Sequence, residues 1–172
     1  MAMRTKTNGF SLIELLIVVA IILIIAAIAI PNFLRSRTAA NQASAVQSLR
    51  TLCTAEYTYS STYNMGFTAT LGYMGPPPSG SSGDMTHAAV VDNVLSGTAA
   101  GGATAMTSTK NGYLFTYSPG AALNGQISSF TLNADPITRG TTGLNSYFVD
   151  QTGVIRQNPT TQASAADSPL AG

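Results

Sequence analysis

The sequence has 172 residues, which fits one domain, and with 9% charged residues and a net charge of +1 it lacks the basic field that nucleic-acid-binding proteins use. A single cysteine, Cys53, excludes an intrachain disulfide and a cysteine-based metal cluster, and a single histidine, His87, argues against a histidine-rich metal site or a hydrolytic triad. We therefore expect no enzymatic activity, no metal, no cofactor and no nucleic-acid partner.

The chain opens with a short polar leader, residues 1–9, which an apolar segment follows. Leu15–Ile30 is a run of 16 apolar residues, and it lies within a largely apolar segment of 25 residues, 10–34. At about 1.5 Å per residue, a helix of that length is about 37 Å long, enough to cross a hydrocarbon core of about 30 Å. Glu14 lies near the start of the segment, and a carboxylate deep in lipid costs on the order of 2.5–3.5 kcal/mol. The sequence thus predicts a membrane-spanning helix with one charge that needs compensation.

Two ordinary explanations of the apolar segment compete with a functional one. A cleaved secretory signal peptide would explain the positive start, the apolar core and the small residues Ala27 and Ala29. A plain single-pass anchor would explain the length. Neither gives a reason for Glu14 or for the Gly9–Phe10 junction, and the helical pattern continues beyond the point at which a signal peptide would be cut.

From Pro31 to about Tyr63 the sequence continues in a helical pattern. Apolar residues recur at steps of three and four, which is typical of an amphipathic helix packed on a domain. Pro31 removes one backbone hydrogen bond and crowds the preceding turn, so we expect a kink there. Joined to the apolar segment, this stretch predicts one helix of about 50 residues. Its apolar stripe consists of Val46, Leu49, Cys53 and Tyr57.

Beyond about Asn64 the helical pattern ends. Gly72–Asp84 is predicted as a loop, because its three prolines exclude regular helix. Ala88–Leu95 fits either a short helix or a strand, and the small residues of Ser96–Ser108 predict a loop. The polar, proline-punctuated tail, residues 158–172, is expected to be flexible and disordered.

Four stretches in the second half carry strand signals. Tyr113–Tyr117 and Phe130–Leu132 alternate in apolar character. Tyr147–Asp150 and Val154–Gln157 flank a turn at Gly153, which predicts a β-hairpin whose glycine supplies a positive φ. We expect three or four antiparallel strands with one face on the helix, which is an α+β fold.

The residues around the leader resemble a known family. The stretch GFSLIE, Gly9–Glu14, followed by an apolar helix and Pro31, resembles the class III signal of type IV pilins and type II secretion pseudopilins. The glycine, the phenylalanine, the glutamate and the proline all match in register over residues 6–37. Over the rest the resemblance is architectural, because a long spine helix followed by an antiparallel sheet is the pilin layout. The stretch Phe148–Pro159 is similar to the last hairpin of many bacterial pilins.

The resemblance implies that the chain is processed at the cytoplasmic face of the membrane. A prepilin peptidase would remove the leader, residues 1–9, by cutting between Gly9 and Phe10, and would then methylate Phe10. Residues 10–34 would serve as both transmembrane and assembly helix. Glu14 would pair with the amino terminus of a neighbouring subunit, so that subunits out of register leave a buried charge unpaired.

The resemblance also implies partners and a location. The expected partners are identical or homologous pilin subunits, the prepilin peptidase/methyltransferase, the inner-membrane assembly machinery and membrane lipid. The chain would be a single-pass inner-membrane protein before assembly, and part of an extracellular pilus or a periplasmic pseudopilus afterwards. Residues 35–157 would form the globular domain of a pilin-like α+β fold, and residues 158–172 its polar tail.

Two functions from different classes remain open. In the first, the protein is a structural subunit that polymerises through its apolar helix into a type IV pilus or a pseudopilus, and the neutral tail without tryptophan favours the pilus. In the second, it is a minor pilin or membrane-anchored surface protein that binds a ligand through loops within Gly72–Gly102. Glu14 favours the first, because minor subunits of the family often lack this glutamate.

Overall fold

The computed structural model describes residues 10–170, and the chain divides into two compact units, Met1–Ser36 and Arg37–Gly172. Helix α1, Leu12–Tyr63, has 52 residues and confirms the predicted long helix. Pro31 lies inside α1, where it cannot donate a hydrogen bond to the carbonyl four residues earlier. The bend that we expect at Pro31 stays a prediction.

In the second unit one face of α1 is buried, and it is wider than the predicted stripe. Val46, Leu49 and Cys53 lie in the core as predicted, but Tyr57 is 45% exposed. The hydroxyl of Tyr57 donates instead to the backbone carbonyl of Gln151. The buried residues of α1 are Ala45, Val46, Ser48, Leu49, Leu52, Cys53, Ala55, Glu56 and Tyr59.

A five-stranded antiparallel sheet packs against this face of α1, with the strand order β1-β2-β5-β6-β7. The α+β fold is confirmed, and its main sheet has one strand more than the upper limit of four that we predicted. A separate two-stranded hairpin, β3–β4, lies between β2 and β5 in the chain. The strands are β1 Thr107–Lys110, β2 Tyr113–Pro119, β3 Ala122–Leu123, β4 Gln126–Ile127, β5 Phe130–Pro136, β6 Ser146–Asp150 and β7 Arg156–Asn158.

Alternating side chains of the central strands form the core. Tyr113, Phe115 and Tyr117 of β2 are fully buried, and their intervening neighbours are not. β5 repeats the pattern, as expected for strands with one face on a helix. The largest other core side chains are Leu49, Leu52, Leu71, Met74, Leu95, Phe130, Leu132, Tyr147 and Val149.

Strand β1 corrects the prediction that Ser96–Ser108 is a loop throughout. Its residues, TSTK, carry little apolar alternation, and pairing with β2 at one edge of the sheet stabilises them. The same stretch also contains the short helix α2, Thr98–Gly101, and a 3₁₀ turn, Gly102–Thr104. Tertiary pairing therefore outweighs the weak local preference here.

The stretches before β1 differ from the predictions in smaller ways. Ala88–Leu95 forms neither the helix nor the strand that we considered, only turns and bends. The loop predicted from Gly72 opens with a 3₁₀ turn, Leu71–Met74, whose Leu71 and Met74 are fully buried. Burial of these two side chains anchors a segment that its prolines keep from forming a regular helix.

The β6–β7 hairpin was predicted from its turn, and the structure contains it. Gly153 has φ 75°, and Gly153 N–H donates to the carbonyl of Asp150. Strand β7 begins at Arg156, two residues later than predicted, and Phe148 pairs with Arg156.

The polar segment after β7, which we expected to be disordered, lies against the sheet in the described residues 158–170. Ala163 is buried, and its carbonyl accepts a hydrogen bond from the Asn133 side chain. Leu170 N–H donates to the carbonyl of Ile155. The side chain of Asn158 also binds that of Asp167. The segment has few apolar residues to bury, so its order comes from hydrogen bonds to distant residues rather than from composition.

Candidate assembly segment and a buried carboxyl

The apolar half of α1 is unburied along its whole length. In the first unit every described residue from Phe10 to Ser36 is exposed, apart from the half-buried Ala26. Among the described residues, α1 is the one helix long and apolar enough to cross a membrane, and none of that span is buried. Such a surface requires lipid or another protein to cover it.

Phe10 and Glu14 lie at the start of this surface. Phe10 is 88% exposed, and Gly9 lies outside the described residues. Ser11 precedes the first helical residue, and its backbone N–H donates to Glu14 Oε2 at 2.9 Å. The Glu14 side chain therefore reaches back toward the amino-terminal end of the helix and stops one residue short of Phe10.

The Ser11–Glu14 contact is one half of a capping box, a feature that our sequence analysis missed. In a capping box, serine or threonine is followed three residues later by glutamate, whose carboxylate accepts the N–H of the capping residue. The pattern S-x-x-E at Ser11–Glu14 was readable from the sequence. Glu14 thus has a partner in its own chain, and helix capping is one role that the geometry supports.

A second carboxyl, Glu56, is buried in the globular unit, and our sequence analysis did not single it out. It belongs to the buried face of α1, and its side chain is fully buried. Glu56 Oε2 accepts the backbone N–H of Thr68 at 2.9 Å, and Oε1 lies 2.6 Å from Thr68 Oγ1. The Tyr117 hydroxyl donates to the Thr68 carbonyl at 2.7 Å, so α1, the segment after it and β2 meet at one polar cluster.

Burial dominates the electrostatics of this cluster. It raises the pKa of Glu56, and the hydrogen bonds from Thr68 offset part of that rise. Burial also raises the pKa of Tyr59 to about 12 and that of Tyr117 further. The pKa of the Cys53 thiol is raised by burial and by the nearby Glu56. In each of these groups burial shifts the balance toward the neutral form.

Other candidate chemistry is sparse in the described part of the chain. No group of three or more His, Cys, Asp or Glu side chains comes together between residues 10 and 170. His87 is half-buried, and its Nδ1 lies 3.5 Å from Asp84 Oδ1. The one free cysteine, Cys53, is a core residue, as predicted.

Comparisons with known proteins bear on the amino-terminal segment. Residues 4–30 match the family described as the prokaryotic N-terminal methylation motif. The chain is also 50% identical over 54 residues to the type IV major pilin protein PilA of Myxococcus xanthus (strain DK1622). The amino-terminal segment is therefore similar to the methylation-motif family and to a type IV major pilin.

The likeness covers one part of the chain. The aligned stretch is 31% of the chain and 24% of the Myxococcus pilin, so the chain spans about a quarter of the relative that it matches. No solved structure matches the chain. The long apolar helix and the antiparallel sheet agree with an α+β pilin fold, and the apolar helix fits a membrane-anchored precursor.

Proposed function

We propose that the protein is a structural subunit of a type IV pilus, which polymerises through the apolar half of α1. The observation that carries the proposal is the exposed apolar span of α1, which follows the Gly9–Phe10 junction in the sequence and has Glu14 near its start. The methylation-motif match at residues 4–30 and the likeness to a major pilin support it. Pilins form a structural protein family, and no catalytic step is part of the proposal.

The proposed pathway begins in the inner membrane. Residues 1–9 are the leader, and a prepilin peptidase removes it between Gly9 and Phe10 and methylates Phe10. Residues 10–34 anchor the precursor in lipid, and the assembly machinery then transfers it into an extracellular filament of identical or homologous subunits. Residues 35–157 are the globular domain in this scheme. A kink of α1 at Pro31 is part of the same scheme.

Glu14 is the proposed register device of the filament. After cleavage Phe10 carries a cationic amine, close to the carboxylate that now binds Ser11 N–H. Helices of neighbouring subunits exclude water, and a charge without a partner is far more costly there than at a surface. A subunit out of step leaves Glu14 unpaired, so the pair favours one stagger of the helices.

Two variants of Glu14 separate pairing from helix capping. Glu14→Gln removes the charge but retains an oxygen that can accept Ser11 N–H, whereas Glu14→Ala removes both. Pairing predicts that both variants insert into the membrane at least as well as wild type, because a charge has been removed. It also predicts that both lose about tenfold or more of their filament yield, since about 1.4 kcal/mol corresponds to tenfold. Filament yield is measured by shearing and quantifying surface filaments, with the membrane-bound pool as the reference.

Wild-type filament yield from Glu14→Gln, with a loss confined to Glu14→Ala, would show that capping is the role of Glu14. Intact mass spectrometry of the sheared filaments tests the rest of the pathway. We expect a mature chain that begins at N-methylated Phe10. A mature chain that begins at Met1 or Ile30 would contradict the proposal, and material confined to the periplasm would indicate a pseudopilus.

A further inference from the structure

The buried Glu56 has no role in the proposed assembly, and it lacks the partner that a buried carboxylate needs. Neither of the two ion pairs in the described residues includes it. The titratable side chains that face it are Cys53 and Tyr59 of α1 and Tyr117 of β2, and all three favour their neutral forms. A buried carboxylate without a cation costs several kcal/mol.

The geometry of the cluster allows its protons to be counted. Four polar contacts connect Glu56, Thr68 and Tyr117. Two join Glu56 to Thr68: the Thr68 N–H contacts Glu56 Oε2, and Thr68 Oγ1 contacts Glu56 Oε1. The other two join Thr68 to Tyr117: Thr68 Oγ1 lies 3.2 Å from Tyr117 Oη, and Tyr117 Oη contacts the Thr68 carbonyl. If Glu56 is ionised, the hydroxyl of Thr68 has one proton and can donate it either to Glu56 or to Tyr117, but not to both. One contact between oxygens then has no proton.

If Glu56 is the neutral acid, each contact has one proton. The carboxyl O–H of Glu56 donates to Thr68 Oγ1. The Thr68 hydroxyl then donates to Tyr117 Oη, and the Tyr117 hydroxyl donates to the Thr68 carbonyl. The Thr68 N–H donates to the other carboxyl oxygen. Each donor then has one acceptor, which is the arrangement that buried polar groups adopt.

We propose that Glu56 is a proton-dependent latch, in which the neutral acid holds the segment Asn64–Thr70 on α1 and loss of the proton releases that segment. This inference concerns the globular unit alone and does not depend on the filament proposal. The segment is the first part of the chain after α1. Thr68 is fully buried within it, and the two bonds to Glu56 connect it directly to α1.

Release of the latch would extend beyond Thr68. Phe67 packs edge-on against Phe130, with ring centroids 4.7 Å apart, and Phe67 N–H donates to the carbonyl of Ile127. The side chain of Gln126 donates to the carbonyl of Asn64. Movement of the segment therefore loosens hairpin β3–β4 as well as the contact with α1.

The first test observes the protonation state directly. Glu14 and Glu56 are the only glutamates in the sequence, so labelling glutamate with ¹³C at the side-chain carboxyl gives two NMR signals from the full chain in detergent micelles. Glu56→Gln assigns one signal by its loss, and Glu14→Gln assigns the other if Glu56→Gln fails to fold. We expect the Glu56 signal to keep the chemical shift of a neutral acid at and above pH 4.5, the ordinary pKa of a glutamate side chain, and to reach the carboxylate shift only at higher pH. A Glu56 carboxylate already half formed at pH 4.5 or below would overturn the proposal.

The second test measures release of the segment. Amide hydrogen exchange at Thr68, corrected for the intrinsic rate, gives a protection factor as a function of pH. In wild type we expect the factor to fall by up to tenfold per pH unit between pH 4.5, the ordinary pKa of the released side chain, and the higher pKa of Glu56 in the closed state, since one proton is lost on opening in that range. Glu56→Gln, whose amide can form the same bonds as the neutral acid, should show no such slope, and Glu14→Gln should retain it. Equal slopes in wild type and Glu56→Gln, or no slope in wild type, would overturn the latch.

Discussion

At the residue scale, two glycines share a left-handed backbone but differ in their surroundings. Gly66 has φ +78°, and a methyl group there would lie 2.2 Å from the carbonyl oxygen of Ile127. Gly125 has φ +79°, with nothing within 4 Å of the same methyl position. Glycine is favoured at both positions by its backbone freedom, but only at Gly66 does close approach to another strand also exclude a side chain.

This pair predicts unequal costs for the same substitution. Gly125→Ala should lose about 1–2 kcal/mol of the free energy of unfolding, which is the usual cost of a left-handed non-glycine residue. Gly66→Ala should lose at least about 2 kcal/mol more, because hairpin β3–β4 must shift away from the new methyl group. Urea unfolding of both variants, followed by circular dichroism, measures the difference. Equal losses would show that the approach of Gly66 to Ile127 is not a constraint.

Cys53 gives a second prediction at this scale. Burial raises the pKa of its thiol, so the folded protein contains less of the reactive thiolate at pH 8 than the unfolded chain does. We expect alkylation by iodoacetamide to be at least about tenfold slower in the folded protein than in urea. A mass-spectrometric time course of both states checks this, and similar rates would place Cys53 at an accessible surface.

At the scale of elements, one arginine connects the loop before β6 to the segment after β7. The guanidinium of Arg139 donates to the backbone carbonyls of Leu144, Pro159 and Thr161, and to the hydroxyl of Ser146. The fixed fork of donors in arginine suits several acceptors at once. The chain has one cysteine, so these bonds, and not a disulfide, hold the carboxyl-terminal segment.

We therefore predict that a lysine at position 139 does not provide the stability that Arg139 provides. One ammonium group cannot reach all four acceptors, so both Arg139→Lys and Arg139→Ala should lose about 1–2 kcal/mol of the free energy of unfolding. Hydrogen exchange should accelerate at Thr160 and Thr161 in both variants. Lys110→Ala is the control, because the exposed pair of Lys110 with Asp92 contributes less than about 1 kcal/mol. Unchanged exchange in Arg139→Ala would show that the segment is held by its other contacts.

At the scale of the whole molecule, Glu56 links the stability of the globular unit to pH. Burial raises its pKa in the folded state above the unfolded value of 4.5. Folding therefore favours the protonated form, and this contribution is complete below pH 4.5 and is lost as the pH rises through the folded pKa. Asp92 acts in the opposite direction, since a hydrogen bond from Leu95 N–H lowers its pKa.

The resulting prediction is a wild-type stability that falls as the pH rises above 4.5, by up to about 1.4 kcal/mol per pH unit. Glu56→Gln should show a flatter profile, because it cannot lose a proton, and should be the more stable protein at the alkaline end. Thermal unfolding of the two proteins at a series of pH values measures both profiles. Parallel profiles would mean that Glu56 has the same pKa in the folded and unfolded states.

Features that depend on local pattern were predictable from the sequence. The length of α1 followed from its apolar run and helical period, and the β6–β7 hairpin followed from a turn that requires Gly153. The exposed apolar segment followed from composition, whereas the pairing of Glu14 stays a prediction based on four residues that match the family signal. The capping box at Ser11–Glu14 was also local and could have been predicted. In each case the residues that determine the structure are close in sequence.

Only the tertiary structure decided the features that depend on distant partners. Glu56 became a buried acid because Thr68 and Tyr117, 12 and 61 residues away in the sequence, supply its hydrogen-bond network. The tail is ordered because its bonds reach residues such as Asn133 and Ile155, and β1 is a strand because β2 pairs with it. Hydrogen bonds between distant residues leave no period in the sequence. The physical reason is that local pattern reports propensity and burial, whereas the partner of a polar group is set by the fold.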